Sequence, residues 1–402
     1  MKSSTRARPE GTAGEVFRVF LRLGLTSFGG PIAHLGYFRN ELVIRRRWLD
    51  ESAFADLVAL CQFLPGPASS QVGFGLGLLR GGAPGALAAW AGFTLPSAAL
   101  LVVFAYASAA LSGPIGAGLL HGLKLVAVAV VAQAVWGMAR ALTPDRRRAA
   151  IAIAAVLLVT FAPTSIGQIG AIAAGSLAGL GLCRGEGGAP AEPLPFRVSR
   201  LAGITALTIF ALLLVVMPIV AAATQSQGVV LFDAFYRSGA LVFGGGHVVL
   251  PLLQAAVVTP GWISSNEFLG GYGAAQAVPG PLFTFAAYLG AVSHLPPNGI
   301  AGAIVALVGI FAPGLLLLVG VLPFWSEFRR QPAAQAVMRG ANAAVVGILG
   351  AALYNPVWTS AVLGPADFAA ALTGFLLLVV WKVPPWVIVL LLGLTGMALA
   401  LR

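Results

Sequence analysis

The residues best suited to chemistry are two hexapeptides, Gln62-Phe-Leu-Pro-Gly-Pro67 and Gln276-Ala-Val-Pro-Gly-Pro281, each set in an apolar stretch that would otherwise be helical. Proline lacks an amide donor and blocks the turn before it, while glycine accepts unusual dihedrals. Pro65, Gly66, Pro67, Pro279, Gly280 and Pro281 should therefore free backbone groups in the middle of apolar sequence. Lipid cannot satisfy such groups, so each break must be buried in protein or line a wet cavity, as where discontinuous transporter helices hold solutes. Helix N-termini there offer free amides and partial positive charge, which suits an anion. A dianion stripped of water needs many donors and cationic partners. The inventory fits: amides after Pro67 and Pro281, Ser69, Ser70, Gln62, Gln276, Thr284, and two arginines, Arg22 and Arg237, each shortly before a Phe-Gly-Gly. Those Phe-Gly-Gly elements, Phe28, Gly29 and Gly30 and then Phe243, Gly244 and Gly245, read as a second pair of breaks. His34 and His247 follow them.

Each of these residues also has a plainer role. Arg22 and Arg237 would snorkel to the interface, and Gln62 and Gln276 would cap backbone groups freed beside the prolines. A lone histidine such as His34 or His247 often serves only packing. His121 with Lys124, and Arg339 with Asn342, put a polar pair on one helix face of each half, either lining the cavity or binding helices together. Trp48 and Trp262 read as interfacial anchors. For proton coupling the best-placed acid is Asp56, whose counterpart is Gly270, so coupling through it would be one-sided; a helix cap is its other reading. Cys61 and Cys183 have neither metal-site nor disulfide-framework spacing, and no nucleophile or paired-acid set is present. The expectation is no enzyme, no metal and no cofactor.

The elements that must position these residues follow from composition. The chain is 58% hydrophobic and only 9% charged, which excludes an ordinary soluble domain. Its net charge of +11 sits in short clusters such as Arg45-Arg46-Arg47 and Arg146-Arg147-Arg148, a topology signal and not a nucleic-acid surface. A polar start from Met1 to Gly14 without a cleavage site predicts no removable signal peptide. Apolar segments are read at 15–38, 52–80, 86–111, 117–142, 149–162, 166–183 and 201–223. The order then recurs at 232–253, 266–293, 299–323, 334–355, 367–381 and 385–401. Trp48 answers Trp262, Phe54 answers Phe268 and Pro96 answers Pro313 at a nearly constant offset. The chain therefore divides into a first repeat (1–184), a loop with a connecting segment (185–223) and a second repeat (224–402).

Charge bias inverts between the halves. Residues 39–50 and 140–148 are arginine-rich where 254–267 and 355–366 have no Lys or Arg, while 112–117 is uncharged where 324–333 carries Arg329 and Arg330. The fold expected is an all-α polytopic membrane protein of two inverted-topology repeats with broken or re-entrant helices, about 13 membrane segments in all. The N-terminus would be cytoplasmic and the C-terminus outside. Whether 15–38 and 52–80 cross or re-enter stays open.

Ser27-Phe-Gly-Gly-Pro31 with Ala33-His34-Leu-Gly36, Arg47-Trp48, Gln62-Phe-Leu-Pro-Gly-Pro67-Ala-Ser69, Phe243-Gly-Gly-Gly246-His247 and Gln276-Ala-Val-Pro-Gly-Pro281 together resemble the chromate ion transporter family in its long, two-half form. The resemblance runs from about residue 15 to the end. It implies a cytoplasmic-membrane secondary transporter that exports chromate, with sulfate as the close analogue, coupled to an ion gradient and built from antiparallel halves. The implied partners are a small oxyanion and the lipid bilayer, with a homodimer as one assembly and no nucleic acid. Gly246 stands where the first half has Pro31, and no histidine aligns with His34, so unequal halves are expected. A passive anion channel, and a carrier of another anion or of a lipid phosphate, remain open as alternatives.

Overall fold

The computed structural model describes residues 11–110, 113–162, 164–184, 194, 196, 198–243, 246–328 and 331–401. Gly244, Gly245, Arg329 and Arg330 lie outside the described residues. Every regular element among them is helical. The first half runs α1 (Ala13–Thr26), α2 (Gly30–Phe38), α3 (Glu51–Phe63), α4 (Ala68–Ala110), α5 (Gly113–Leu142), α6 (Arg146–Phe161) and α7 (Ser165–Leu182). The connecting helix α8 (Arg200–Thr224) follows. The second half contains α9 (Gln227–Ala240), α10 (Val249–Leu253), α11 (Ser265–Ala275), α12 (Phe285–Val292), α13 (Gly299–Val321), α14 (Trp325–Phe328), α15 (Pro332–Ala352), α16 (Thr359–Ala361), α17 (Pro365–Val379) and α18 (Pro385–Ala400).

The apolar segments read from sequence are present, and helices stop where glycine and proline stand. α1 ends at Thr26 before Gly29 and Gly30, and α3 ends at Phe63 before Pro65-Gly66-Pro67. α11 ends at Ala275, before Pro279-Gly280-Pro281. Equivalent helices also start on equivalent caps: the Asp50 side chain accepts the Ala53 N–H at 2.8 Å to begin α3, and Ser264 forms a capping box with Glu267 to begin α11. Each such cap contributes about 1 kcal/mol.

α4 is in fact a hairpin. Gly81 and Gly82 leave helical dihedrals, and the two limbs meet so closely that a Cβ on Gly85 would lie 2.5 Å from the Gly77 carbonyl oxygen. In the second half α12 and α13 repeat the arrangement, with Gly290 against Gly302.

Five helical stretches among the described residues are long and apolar enough to cross a membrane, the first of them folded back at Gly81 and Gly82: Ala68–Ser108, Gly113–Leu142, Arg200–Thr224, Gly299–Phe328 and Pro332–Ala361. Shorter apolar helices accompany them. α8 buries little of its length and leaves Leu201, Ile204, Leu212, Val215 and Ile219 exposed, which suits a lipid-facing connector.

The halves are interlocked. α5 of the first half packs on α17 and α18 of the second, and α15 of the second packs on α6 and α7 of the first. Small residues allow the approach: Gly118 and Gly122 meet Gly396 and Gly393, and Gly175 and Gly179 meet Gly340. Trp48 departs from the expected interfacial position. It is 6% exposed, tucked beside Phe20 and under the Arg80 guanidinium, 5.5 Å from its ring centroid.

Candidate functional site

Both Pro-Gly-Pro breaks are held by the other half. The Gly66 N–H donates to the Val242 carbonyl at 2.8 Å, and the Gly280 N–H donates to the Ser27 carbonyl at 2.9 Å. Val242 and Ser27 occupy the same position in the two repeats, immediately before a Phe-Gly-Gly. Each amide freed by proline is thus satisfied across the repeat interface, as a break buried in apolar surroundings requires.

Both glycines have left-handed φ, 118° at Gly66 and 101° at Gly280, and both touch the helix that follows in the opposite half. A Cβ on Gly66 would sit 2.9 Å from the Gly314 Cα; one on Gly280 would sit 2.8 Å from the Ser97 Oγ. Gly314 and Ser97 again correspond, since each follows the internal proline of its helix, Pro313 and Pro96.

Polar side chains gather around the first-half elements of this crossing. His34, 1% exposed on α2, places Nδ1 3.4 Å from the Ser69 Oγ at the start of α4 and sets its ring edge-on to Phe93. Ser27 Oγ, His34 Nε2, Ser70 Oγ and Thr94 Oγ1 are buried without a hydrogen-bond partner among the described residues. Gln71 fastens the break: its Nε2 donates to the Pro65 carbonyl at 3.0 Å and to the Gly314 carbonyl at 2.9 Å. Phe28 and Gly30 are half-buried and Gly29 is exposed, the two glycines at φ 103° and 77°. Pro65 is half-buried and Pro67 buried.

In the second half Thr284 donates to the Pro281 carbonyl at 2.7 Å and Gln276 to the Tyr272 carbonyl at 3.3 Å. Pro279 and Pro281 are buried. His247 Nδ1 lies 2.6 Å from the Tyr272 hydroxyl.

The two arginines differ. Arg22 is exposed and forms no ion pair among the described residues; it lines a cavity of about 260 Å³ with Thr26, Tyr37, Asn40, Glu41 and Arg45. Glu41 there binds both Arg45 and Arg46. Burial pushes its carboxyl up, but those two hydrogen-bonded guanidiniums outweigh it and hold the group below the usual carboxylate range. Arg237, by contrast, is paired at 2.6 Å with the buried Asp233 one turn earlier.

Other residues singled out from sequence lie apart from the crossing or show no contact to it. Gln62 is exposed at the end of α3, and Asp56 is half-buried in the same helix. Lys124 is buried and donates to Asn266 Oδ1 and the Ser360 carbonyl. Asn342 is half-buried on α15 with its Oδ1 unpartnered. Sequence reasoning missed Gln71, Thr94 and Asp233. Each is a polar residue in an apolar run, and Asp233 stands four residues before Arg237, the spacing of a helical ion pair.

A duplicated, all-helical chain whose apolar helices break at paired glycines and prolines belongs to the polytopic membrane proteins. The profile of the chromate transporter family matches residues 14–180 and again 229–397, so the chain is a member of that family and carries its unit twice. A chromate transport protein of Pseudomonas aeruginosa is 30% identical over 95% of this chain and 91% of its own length. A probable chromate transport protein of Synechococcus elongatus is 26% identical over 87% of this chain and 86% of its own. A chromate transport protein of Cupriavidus metallidurans is 26% identical over 93% and 90%. These relatives are transport proteins, not enzymes. No solved structure matches the chain.

Proposed function

We propose that this protein is a secondary transporter that exports chromate, and accepts sulfate as an analogue, across the cytoplasmic membrane with an ion gradient as the driving force. The observation that supports it most is the set of orphaned polar atoms at the crossing of the breaks: Ser27 Oγ, His34 Nε2, Ser70 Oγ and Thr94 Oγ1. Buried hydroxyl and imidazole groups without partners cost about 1–3 kcal/mol each, and an oxyanion that accepts from them recovers that cost. Ser69, Gly66 and Gly280 frame the same place, and Arg22 supplies positive charge at its approach. Thr284, Gln276 and His247 are the second half's contribution. Moderate affinity is the expected outcome, because a transported ion must also leave.

The halves are read as antiparallel repeats in about 13 membrane segments, N-terminus cytoplasmic and C-terminus outside.

The test is chromate flux into inverted membrane vesicles, with sulfate and a protonophore added separately. Accumulation blocked by both fits a coupled exporter of tetrahedral dianions. Flux that simply follows the chromate gradient and ignores the protonophore would replace this reading with a passive channel.

A further inference from the structure

A second polar cluster lies where the first half's α5 meets α11, α16 and α17 of the second half. Lys124, 8% exposed, donates from Nζ to Asn266 Oδ1 at 3.1 Å and to the Ser360 carbonyl at 3.2 Å, both neutral partners. One turn earlier His121 Nε2 is 2.8 Å from Asp367 Oδ1, and the other carboxylate oxygen accepts the Leu363 N–H at 2.9 Å. His121 and Lys124 stand three residues apart on one face of α5, so the Asp367 carboxylate held by His121 lies on the face that carries Lys124.

The remaining ionisable groups on the helices packed against α5 are occupied or turned away. On α11, Glu267 is bound to Ser264 and His294, and the Tyr272 hydroxyl is paired with His247 Nδ1; on α15, Arg339 donates to the Cys183 carbonyl; Tyr354, in the π-helical turn beyond α15, is 69% exposed; α18 has none. The corresponding positions of the other half, Arg339 and Asn342, lie on α15, which packs on α6 and α7, and neither of those helices has an acid. The cluster therefore occurs once.

We propose that His121, Asp367 and Lys124 form a proton-binding site that controls the attachment of α11 to α5, and that one proton taken up by the His121–Asp367 pair per cycle couples anion movement to the proton gradient. This rests on the transporter reading above. With Asp367 ionised, the imidazole Nε2–H donates to it and Lys124 has a compensating charge. When a proton binds at the imidazole Nδ1, the His121–Asp367 pair becomes an imidazolium–carboxylate with no net charge, and Lys124 loses its compensating charge in a poorly solvated place. Its bond to Asn266 is then the contact that yields. Asn266 lies in the first turn of α11, and the Pro279-Gly280-Pro281 break follows that helix's other end, about 15 Å away at 1.5 Å per residue. α11 is the rigid arm that carries the change to the anion site.

The experiment uses the purified full chain in proteoliposomes and reads two quantities: chromate–chromate exchange at equal pH, and chromate accumulation driven by a pH gradient. Wild type should do both. Asp367→Asn should keep exchange within about threefold while gradient-driven accumulation falls about tenfold or more. The double variant Asp367→Asn/Lys124→Gln removes both charges together, so no lone charge is left buried, and should be uncoupled in the same way. Normal gradient-driven accumulation in the double variant would overturn the proposal. So would loss of coupling in Asp56→Asn while Asp367→Asn behaves as wild type. A wild-type chain without exchange would instead remove the transporter reading, and this inference with it.

Discussion

The two Pro-Gly-Pro breaks answer each other bond for bond, yet the side chains around them do not. Gly66 reaches Val242 and Gly280 reaches Ser27 through the same backbone hydrogen bond. The first half brings Ser27, His34, Ser69, Gln71, Thr94 and Ser97 to the crossing. The matching second-half positions are Val242, Val249, Phe283, Phe285, Phe311 and Gly314. Thr284, opposite Ser70, is the polar exception, and its hydroxyl is spent on the Pro281 carbonyl. Duplication thus supplies a paired backbone device, while the polar side chains at the crossing are concentrated in one half.

The sharpest way to break this comparison is to attack what the halves share. Gly66→Val and Gly280→Val each force a side chain into left-handed backbone and into the opposing helix, so both should reduce chromate flux to background at matched expression. A tolerated valine at either site would show that the reciprocal bonds are not equivalent. Next, Gln71→Leu leaves the Pro65 and Gly314 carbonyls without their donor, a cost of about 2–3 kcal/mol that should appear as a lower Tm in detergent and reduced flux. Its counterpart change, Phe285→Leu, should be milder on both readouts.

The polar asymmetry is tested by Ser27→Ala and Thr94→Val, each expected to weaken chromate affinity about three- to tenfold in flux titrations, against less than about twofold for Val242→Ala. Equal effects in the two halves would contradict one-sided recognition. The smallest contrast concerns the arginines. Arg22→Gln should raise the apparent KM a few-fold at low ionic strength and flatten its salt dependence, because Arg22 acts as an unpaired charge. Arg237→Gln should mainly lower Tm by a few degrees, about 1 kcal/mol, through the loss of its pair with Asp233. A KM shift from Arg237→Gln as large as that from Arg22→Gln would restore the symmetrical assignment.

Much of the helical order was legible in the sequence because glycine and proline act locally. The breaks at Gly29, Gly66 and Gly280 need no distant partner to be inferred, and apolar length alone marks α5, α8, α13 and α15. The cross-half bonds were not legible, since nothing in the residues around Gly66 points to Val242. Gln62 and Gln71 illustrate the same limit. Both are glutamines near one break, and only the packing of α13 decides that Gln71, facing Gly314, does the capping while Gln62 stays exposed. Arg22 and Arg237 looked alike by spacing from their Phe-Gly-Gly motifs. The difference lay in Asp233, a single acid four residues away, whose counterpart beside Arg22 is Arg18.

The interlocking of the halves also has a consequence for biosynthesis. The Gly66 amide finds its acceptor at Val242, and α5 finds its packing surface on α18, the last helix of the chain. The first half leaves the ribosome with a donor that is unanswered until Val242 follows and with a small-residue face on α5 that is uncovered until α18 has been inserted. Truncation that removes α18 therefore strips support from α5, well before it in the chain.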